Sequence, residues 1–148
     1  MILLDSVEDP QNLGAIVRSA HALAGAGIVI PADRAAGVTP AAVKASAGAA
    51  ECAAIARVTN LKTAARQLKD KGFWLVGLEA GNATPLKDVP DFGQLAIVMG
   101  GEDSGVRPVM VKELDVLARI PMLGEFNSLN VAQSATVALY ELVSRRRA

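Results

Sequence analysis

The sequence predicts an α/β domain with a mostly parallel sheet and helices on both faces. Short apolar runs alternate with helix-like stretches along the 148 residues, which is the order of β-then-α units. The runs are apolar throughout, as strands are when helices cover both sides of a sheet. No internal repeat, low-complexity linker or composition shift breaks the chain, so residues 1–148 read as a single domain.

The elements follow in order. Ile2-Leu3-Leu4 reads as a first strand. Asn12 to Ala24 places Leu13, Ile16, Val17, Ala20 and Leu23 on one side of a helix, closed by Gly25 and Gly27. Ile28-Val29-Ile30 is a strand ended by Pro31, and Thr39-Pro40 caps the Ala-rich segment after it. Ala54 to Val58 reads as a strand, and Leu61 to Lys71 as an amphipathic helix stopped by Gly72. Phe73 to Leu78 and Leu95 to Met99 are strands, and Pro108 to Leu114 is a short helix. Val116 to Ile120 is the last strand, and Asn130 to Arg145 the closing helix. Abundant Ala and Gly predict helices that pack closely through small side chains.

Composition excludes several classes. Half the residues are apolar and a fifth charged, a globular balance. One cysteine, Cys52, permits no internal disulfide or cysteine zinc site, and one histidine, His21, no histidine-rich metal site. Met1 to Asp5 lacks the basic region and apolar length of a signal peptide, and no stretch is long enough to span a membrane. A cytoplasmic protein without a metal is expected. Formal net charge is zero, so any grip on a polyanion has to come from a local patch, a second subunit or another domain. The basic run Arg145-Arg146-Arg147 serves either as a solvated helix end or as an RNA contact.

Three segments carry polar residues where α/β sheets bind ligands, beyond the carboxyl ends of strands. In the first, Asp5 to Ala20, Asn12 and Gly14 sit at a helix mouth, and Arg18 lies nearly two turns beyond Asn12, so that both can project from roughly one side. Asp9-Pro10 can equally be a turn, Asn12 a cap and Arg18 a surface cation. In the second, Ile97 to Arg107, a buried strand runs into the acidic, Gly-rich loop Gly100-Gly101-Glu102-Asp103-Ser104-Gly105. It lacks the lysine of a phosphate loop and the Gly-x-Gly-x-x-Gly spacing, and its carboxylates repel phosphate. It suits a ligand with cationic or hydroxyl groups, or a tight turn before a helix. In the third, Ile120-Pro121-Met122 leads through a loop to Ser128-Leu129-Asn130-Val131, where Ser128 or Asn130 caps the last helix.

Together, Asp-Pro-x-Asn-x-Gly-x-x-x-Arg, Gly-Gly-Glu-x-x-Gly and Ile-Pro-Met with Ser-Leu-Asn-Val resemble the three ordered motifs of the SpoU (TrmH-like) family of RNA ribose 2′-O-methyltransferases, in the SPOUT superfamily. The resemblance covers almost the whole chain and looks strongest to the branch acting on ribosomal RNA, including the 23S rRNA guanosine 2′-O-methyltransferases. It implies a C-terminal segment threaded into a deep trefoil knot, a homodimer, S-adenosylmethionine as cofactor and RNA as substrate, rRNA ahead of tRNA. By motif matching, Gly100, Ile120, Met122 and Leu129 bind the cofactor, and Asn12, Arg18, Glu102, Ser128 and Asn130 are the catalytic or substrate-site positions. The family reading makes Arg18 the base. A guanidinium rarely gives up its proton, so binding phosphate and stabilising negative charge is the physically easier role.

The chain departs from the resemblance in places. Many relatives carry a separate N-terminal RNA-binding domain, whereas this chain starts at its first strand, as a minimal member or a fragment. Where many continue with Ser-Val-Ala, it has Ala132-Gln133-Ser134. Cys52 and His21 match no catalytic position and read as an Ala-rich-segment residue and a helix-surface residue.

Overall fold

A computed structural model describes residues 1–144. The Arg145-Arg147 tail, read above as helix end or RNA contact, lies outside the described residues.

The strands are β1 (Ile2–Asp5), β2 (Ile28–Pro31), β3 (Ile55–Val58), β4 (Trp74–Leu78), β5 (Thr84–Pro85), β6 (Leu95–Gly100) and β7 (Val116–Arg119). The helices are α1 (Pro10–Ala24), α2 (Pro40–Ala45), α3 (Leu61–Asp70), α4 (Pro108–Val111) and α5 (Val131–Ser144). All seven strands form one sheet in the order β3-β2-β1-β6-β4-β7-β5. Every pairing between them is parallel, so their carboxyl ends share one edge.

Strand alternation sends side chains into two cores. Ile2, Leu4, Ile28, Ile30, Val76, Leu78, Ile97 and Met99 pack with α1 and α5. Leu3, Val29, Leu75, Ala96 and Val98 pack with α3 and with Met110 of α4. Ile2, Leu3 and Leu4 are fully buried, each contributing roughly 1.5–3 kcal/mol. Helices cover both faces, as the continuous apolar runs predicted. The two edge strands, β3 and β5, have no buried residue.

The expected close helix contact lies between α1 and α2. A Cβ on Gly14 would come within 2.4 Å of the Ala42 carbonyl and 2.5 Å of the Ala45 Cβ.

Several boundaries differ from expectation. The first helix begins at Pro10, not Asn12, because the Asp9 carboxylate accepts from Gln11 N at 2.8 Å and caps it. Asn12 is therefore not a cap; it is buried within the first turn. Gly25 ends this helix in the left-handed conformation, φ 55°. Strand β1 extends to Asp5, whose carboxylate is wholly buried. Helix α4 is one turn instead of reaching Leu114. Strand β5 was not foreseen, being two residues without an apolar run. Cys52 is exposed after a 3₁₀ turn, and His21 lies on the exposed face of α1.

An ion-pair group ties α3 to the link between α4 and β7. Arg66 forks onto Glu113, with Nε to Oε2 at 3.1 Å and Nη2 to Oε1 at 2.9 Å, and Lys62 lies 3.6 Å away. Hydrogen bonds from Arg66, then its charge and that of Lys62, hold the Glu113 carboxyl below the ordinary glutamate range. A depressed folded-state pKa means this stabilisation is present above the unfolded glutamate value, about 4.3, and is lost as pH falls through the folded one. Glu113→Gln is expected to remove that part of the acid-side loss in melting temperature, read as a shallower fall than wild type below about pH 4.

Candidate active site

The parallel sheet delivers β4, β6 and β7 to one edge, and a cavity of about 440 Å³ opens there. It is walled by Leu78 and Glu79 after β4, Met99 to Glu102 after β6, and Ile120 and Met122 after β7. The segment Asn127 to Val131 closes it, bringing Ser128, Leu129 and Asn130. All four expected cofactor positions, Gly100, Ile120, Met122 and Leu129, line this one cavity, as do Glu102, Ser128 and Asn130.

Asn12 joins them from α1. Its Nδ2 donates to Glu102 Oε1, and its Oδ1 accepts from Asn130 Nδ2 at 3.0 Å. Asn130 Oδ1 in turn accepts from Ala132 N at 2.8 Å, capping α5. Of the two candidate caps, Asn130 is the one whose side chain bonds the helix. A single line of hydrogen bonds thus links the first turn of α1, the loop after β6 and the start of α5. With both polar ends of each asparagine amide engaged, the carboxylate of Glu102 is held at the cavity wall.

Arg18 is placed differently. Six residues at 100° each leave it about 120° around the helix from Asn12. Asn12 is buried while Arg18 is exposed, and Arg18 does not line the cavity. It makes no hydrogen bond or ion pair among the described residues. The expectation that both project from roughly one side fails on this geometry.

The loop after β6 depends on two features. Gly100 and Gly101 have no room for a side chain: a Cβ on Gly100 would lie 2.0 Å from Gly105 C and 2.2 Å from Val106 N, and one on Gly101 2.3 Å from Ser6 O. The obstacles are backbone, so they cannot swing aside. Gly100→Ala is expected to displace the Gly101–Gly105 turn and lower cofactor affinity more than about tenfold by titration calorimetry, since a close-packed site forced open costs about 1–3 kcal/mol. Unchanged affinity would show that the tight turn is not part of the site.

The second feature was overlooked in the sequence. Asp5 Oδ2 accepts from Arg107 N at 2.8 Å and Oδ1 from Arg107 Nε at 2.6 Å, with Arg107 Nη2 in ion-pair contact at 2.6 Å from the same oxygen. Asp5 also sits in register with Gly100. This pair clamps the far end of the Gly-rich loop to β1. Both residues stand at the ends of the first two polar segments, outside their motifs, and only a residue-by-residue search for charges 102 positions apart could have joined them.

Among the described residues, no group of three or more His, Cys, Asp or Glu is placed to hold a metal, and no helix is long and apolar enough to cross a membrane.

Comparison with known proteins places the chain in a family. The chain is 41% identical over 146 residues to a Staphylococcus aureus (strain COL) protein assigned to the TrmH family of tRNA/rRNA methyltransferases, covering 99% of this chain and 59% of that one. It therefore spans about 59% of the length of that relative. The crystal structure of the SpoU methyltransferase AviRb from Streptomyces viridochromogenes with the cofactor AdoMet matches with a TM-score of 0.91 at 29% identity, over 99% of this chain and 60% of that chain. An AdoMet-bound rRNA methyltransferase from Sinorhizobium meliloti matches with a TM-score of 0.88 at 29% identity, over 99% and 55% of the two chains. Residues 1–140, carrying all three motifs, match the family described as SpoU rRNA Methylase, and the chain belongs to that family.

Proposed function

We propose that this domain transfers a methyl group from S-adenosylmethionine to a ribose 2′-hydroxyl of RNA, with ribosomal RNA as the substrate. The observation that carries the reading is that the second and third motifs line one cavity and the first is tied to both through the Asn130–Asn12–Glu102 hydrogen bonds.

The residues present fit the cofactor. Gly100 and Gly101 line the cavity without side chains, and backbone packed at their Cβ positions holds them there. Ile120, Met122 and Leu129 offer apolar walls for an adenosine, and Glu79 and Glu102 offer carboxylates to a cationic ligand. When bound, S-adenosylmethionine supplies a methyl group already activated on a sulfonium sulfur. The protein's part is to orient the ribose oxygen, accept or stabilise its departing proton, and exclude competing water. Asn12 and Asn130 fix Glu102, and Ser128 presents a hydroxyl at the same wall. Arg18 binds RNA phosphate and stabilises the negative charge developing on the ribose oxygen.

We further propose that the domain works in the cytoplasm as a homodimer and that its C-terminal segment forms the family's deep trefoil knot. Leu123 and Phe126 are 100% and 87% exposed, and Val137 and Tyr140, three residues apart on α5, remain 39% and 64% exposed. Exposed apolar side chains of this kind support a second subunit that covers them. The support for the knot is that residues after β7 line the same cavity as the ends of β4 and β6.

The test is transfer of labelled methyl from S-adenosylmethionine to total RNA that lacks the modification, followed by mapping of the methylated position. A 2′-O-methyl ribose in rRNA is the expected product. Label in tRNA alone would move the substrate to tRNA, and no binding at millimolar cofactor would sink the enzyme reading.

A further inference from the structure

A second cavity, of about 390 Å³, opens on the same edge of the sheet, beyond β2 and β3. Three of its lining side chains are cations, Arg34, Lys62 and Arg107, against one carboxylate, Asp33. Two of the cations are already placed. Arg107 is held by buried Asp5, and Lys62 stands near Glu113.

Arg34 is the third, and its backbone is unusual. It takes the left-handed conformation, φ 55°, which a non-glycine residue adopts at a cost in free energy. The turn that carries it is pinned on both sides: Ala32 N donates to Val58 O at 2.7 Å, Arg57 Nη2 donates to Ala32 O at 2.8 Å, and Ala36 N donates to Val7 O at 2.9 Å. The Arg34 guanidinium makes no hydrogen bond or ion pair among the described residues, and it is exposed to an incoming ligand.

We propose that this cavity binds a phosphodiester of the RNA strand flanking the nucleotide that enters the first cavity, through Arg34, Lys62 and Arg107. The proposal rests on the RNA reading above. A chain of zero net charge grips a polyanion only where cations are gathered, and this group is gathered on the edge where the first cavity opens. Strand β1 alone separates β2 from β6 in the sheet, so roughly 10 Å lies between them at about 4.8 Å per strand. A few nucleotides of single-stranded RNA span the distance between the two openings. Asp33 fits the same ligand, because its carboxylate accepts a hydrogen bond from a ribose 2′-hydroxyl, which inorganic phosphate and DNA lack.

The experiment measures binding of a fluorescein-labelled single-stranded RNA to the wild-type chain, Arg34→Glu and Arg34→Lys over a range of salt. Cofactor titration runs in parallel as the control for folding. Arg34→Glu is expected to weaken RNA binding about tenfold or more near 0.1 M salt and to flatten the log–log salt slope by about 0.7, the loss of one single-strand phosphate contact. Arg34→Lys keeps most of the affinity, and cofactor affinity is the same in all three. Wild-type RNA affinity and slope in Arg34→Glu would overturn the second site alone. Inorganic phosphate shifting the Arg34 Nε–H resonance while RNA leaves it unmoved would make the cavity a free-anion site and overturn the proposal. A wild-type chain that neither binds nor methylates RNA overturns this proposal and the RNA reading together.

Discussion

Arg18→Ala is expected to lower kcat for methyl transfer to RNA by about 10²–10³-fold, the range for removing one donor that stabilises transition-state charge, and to leave S-adenosylmethionine affinity unchanged. The separation of the two effects comes from position. Arg18 stands exposed on α1, outside the lining of the first cavity, whereas the expected cofactor contacts all lie within it. In the proposed role its cation acts through bound RNA. Arg18→Lys is expected to lose most of the rate as well, because an ammonium cannot make the planar two-pronged contact of a guanidinium with phosphate. Single-turnover methyl transfer at saturating cofactor reads both variants. Wild-type turnover in Arg18→Ala would remove this residue from the mechanism.

Asp5→Ala is expected to cost about 3 kcal/mol of stability. Breaking a buried ion pair from one side costs roughly 3–5 kcal/mol, and the low end applies because the Arg107 side chain is 33% exposed and regains water. At about 2–4 °C per kcal/mol for a domain of this size, the melting temperature falls by roughly 6–12 °C. Cofactor affinity is expected to fall too, since Asp5 fastens the loop that carries Gly100, Gly101 and Glu102. Asp5→Asn keeps an acceptor for Arg107 N and is expected to lie between alanine and wild type. A thermal melt of Asp5→Ala that overlays wild type would show that the pair adds nothing to the fold.

These two residues mark different limits of sequence reading. Arg18 was singled out by its motif, but spacing alone misjudged its direction: six positions are far from two whole turns in angle. Asp5 was passed over because it reads as the polar end of a strand. Its partner is 102 residues away, and only the β1–β6 pairing brings the two together. For Asn12 the structure decides between two readings, a motif position and a helix cap. It stood as a possible helix cap, yet Asp9 caps the helix and Asn12 turns inward to Glu102 and Asn130.

Local patterns were enough for most elements. Apolar runs placed β1, β2, β4, β6 and β7, and periodicity with Gly and Pro punctuation placed α1, α3 and α5 within a few residues. They missed β5, which has two residues and no apolar signal, and they could not give the strand order.

By itself, then, the sequence determined the α/β class, the burial of the strands and the three ordered motifs, because each is written in neighbouring residues. The tertiary structure decided which of those residues meet. Strand order brings the ends of β4, β6 and β7 around one cavity, buries Asp5 against Arg107, and leaves Arg18 in solvent. Contacts of this kind depend on how distant segments pack, and no local spacing encodes them.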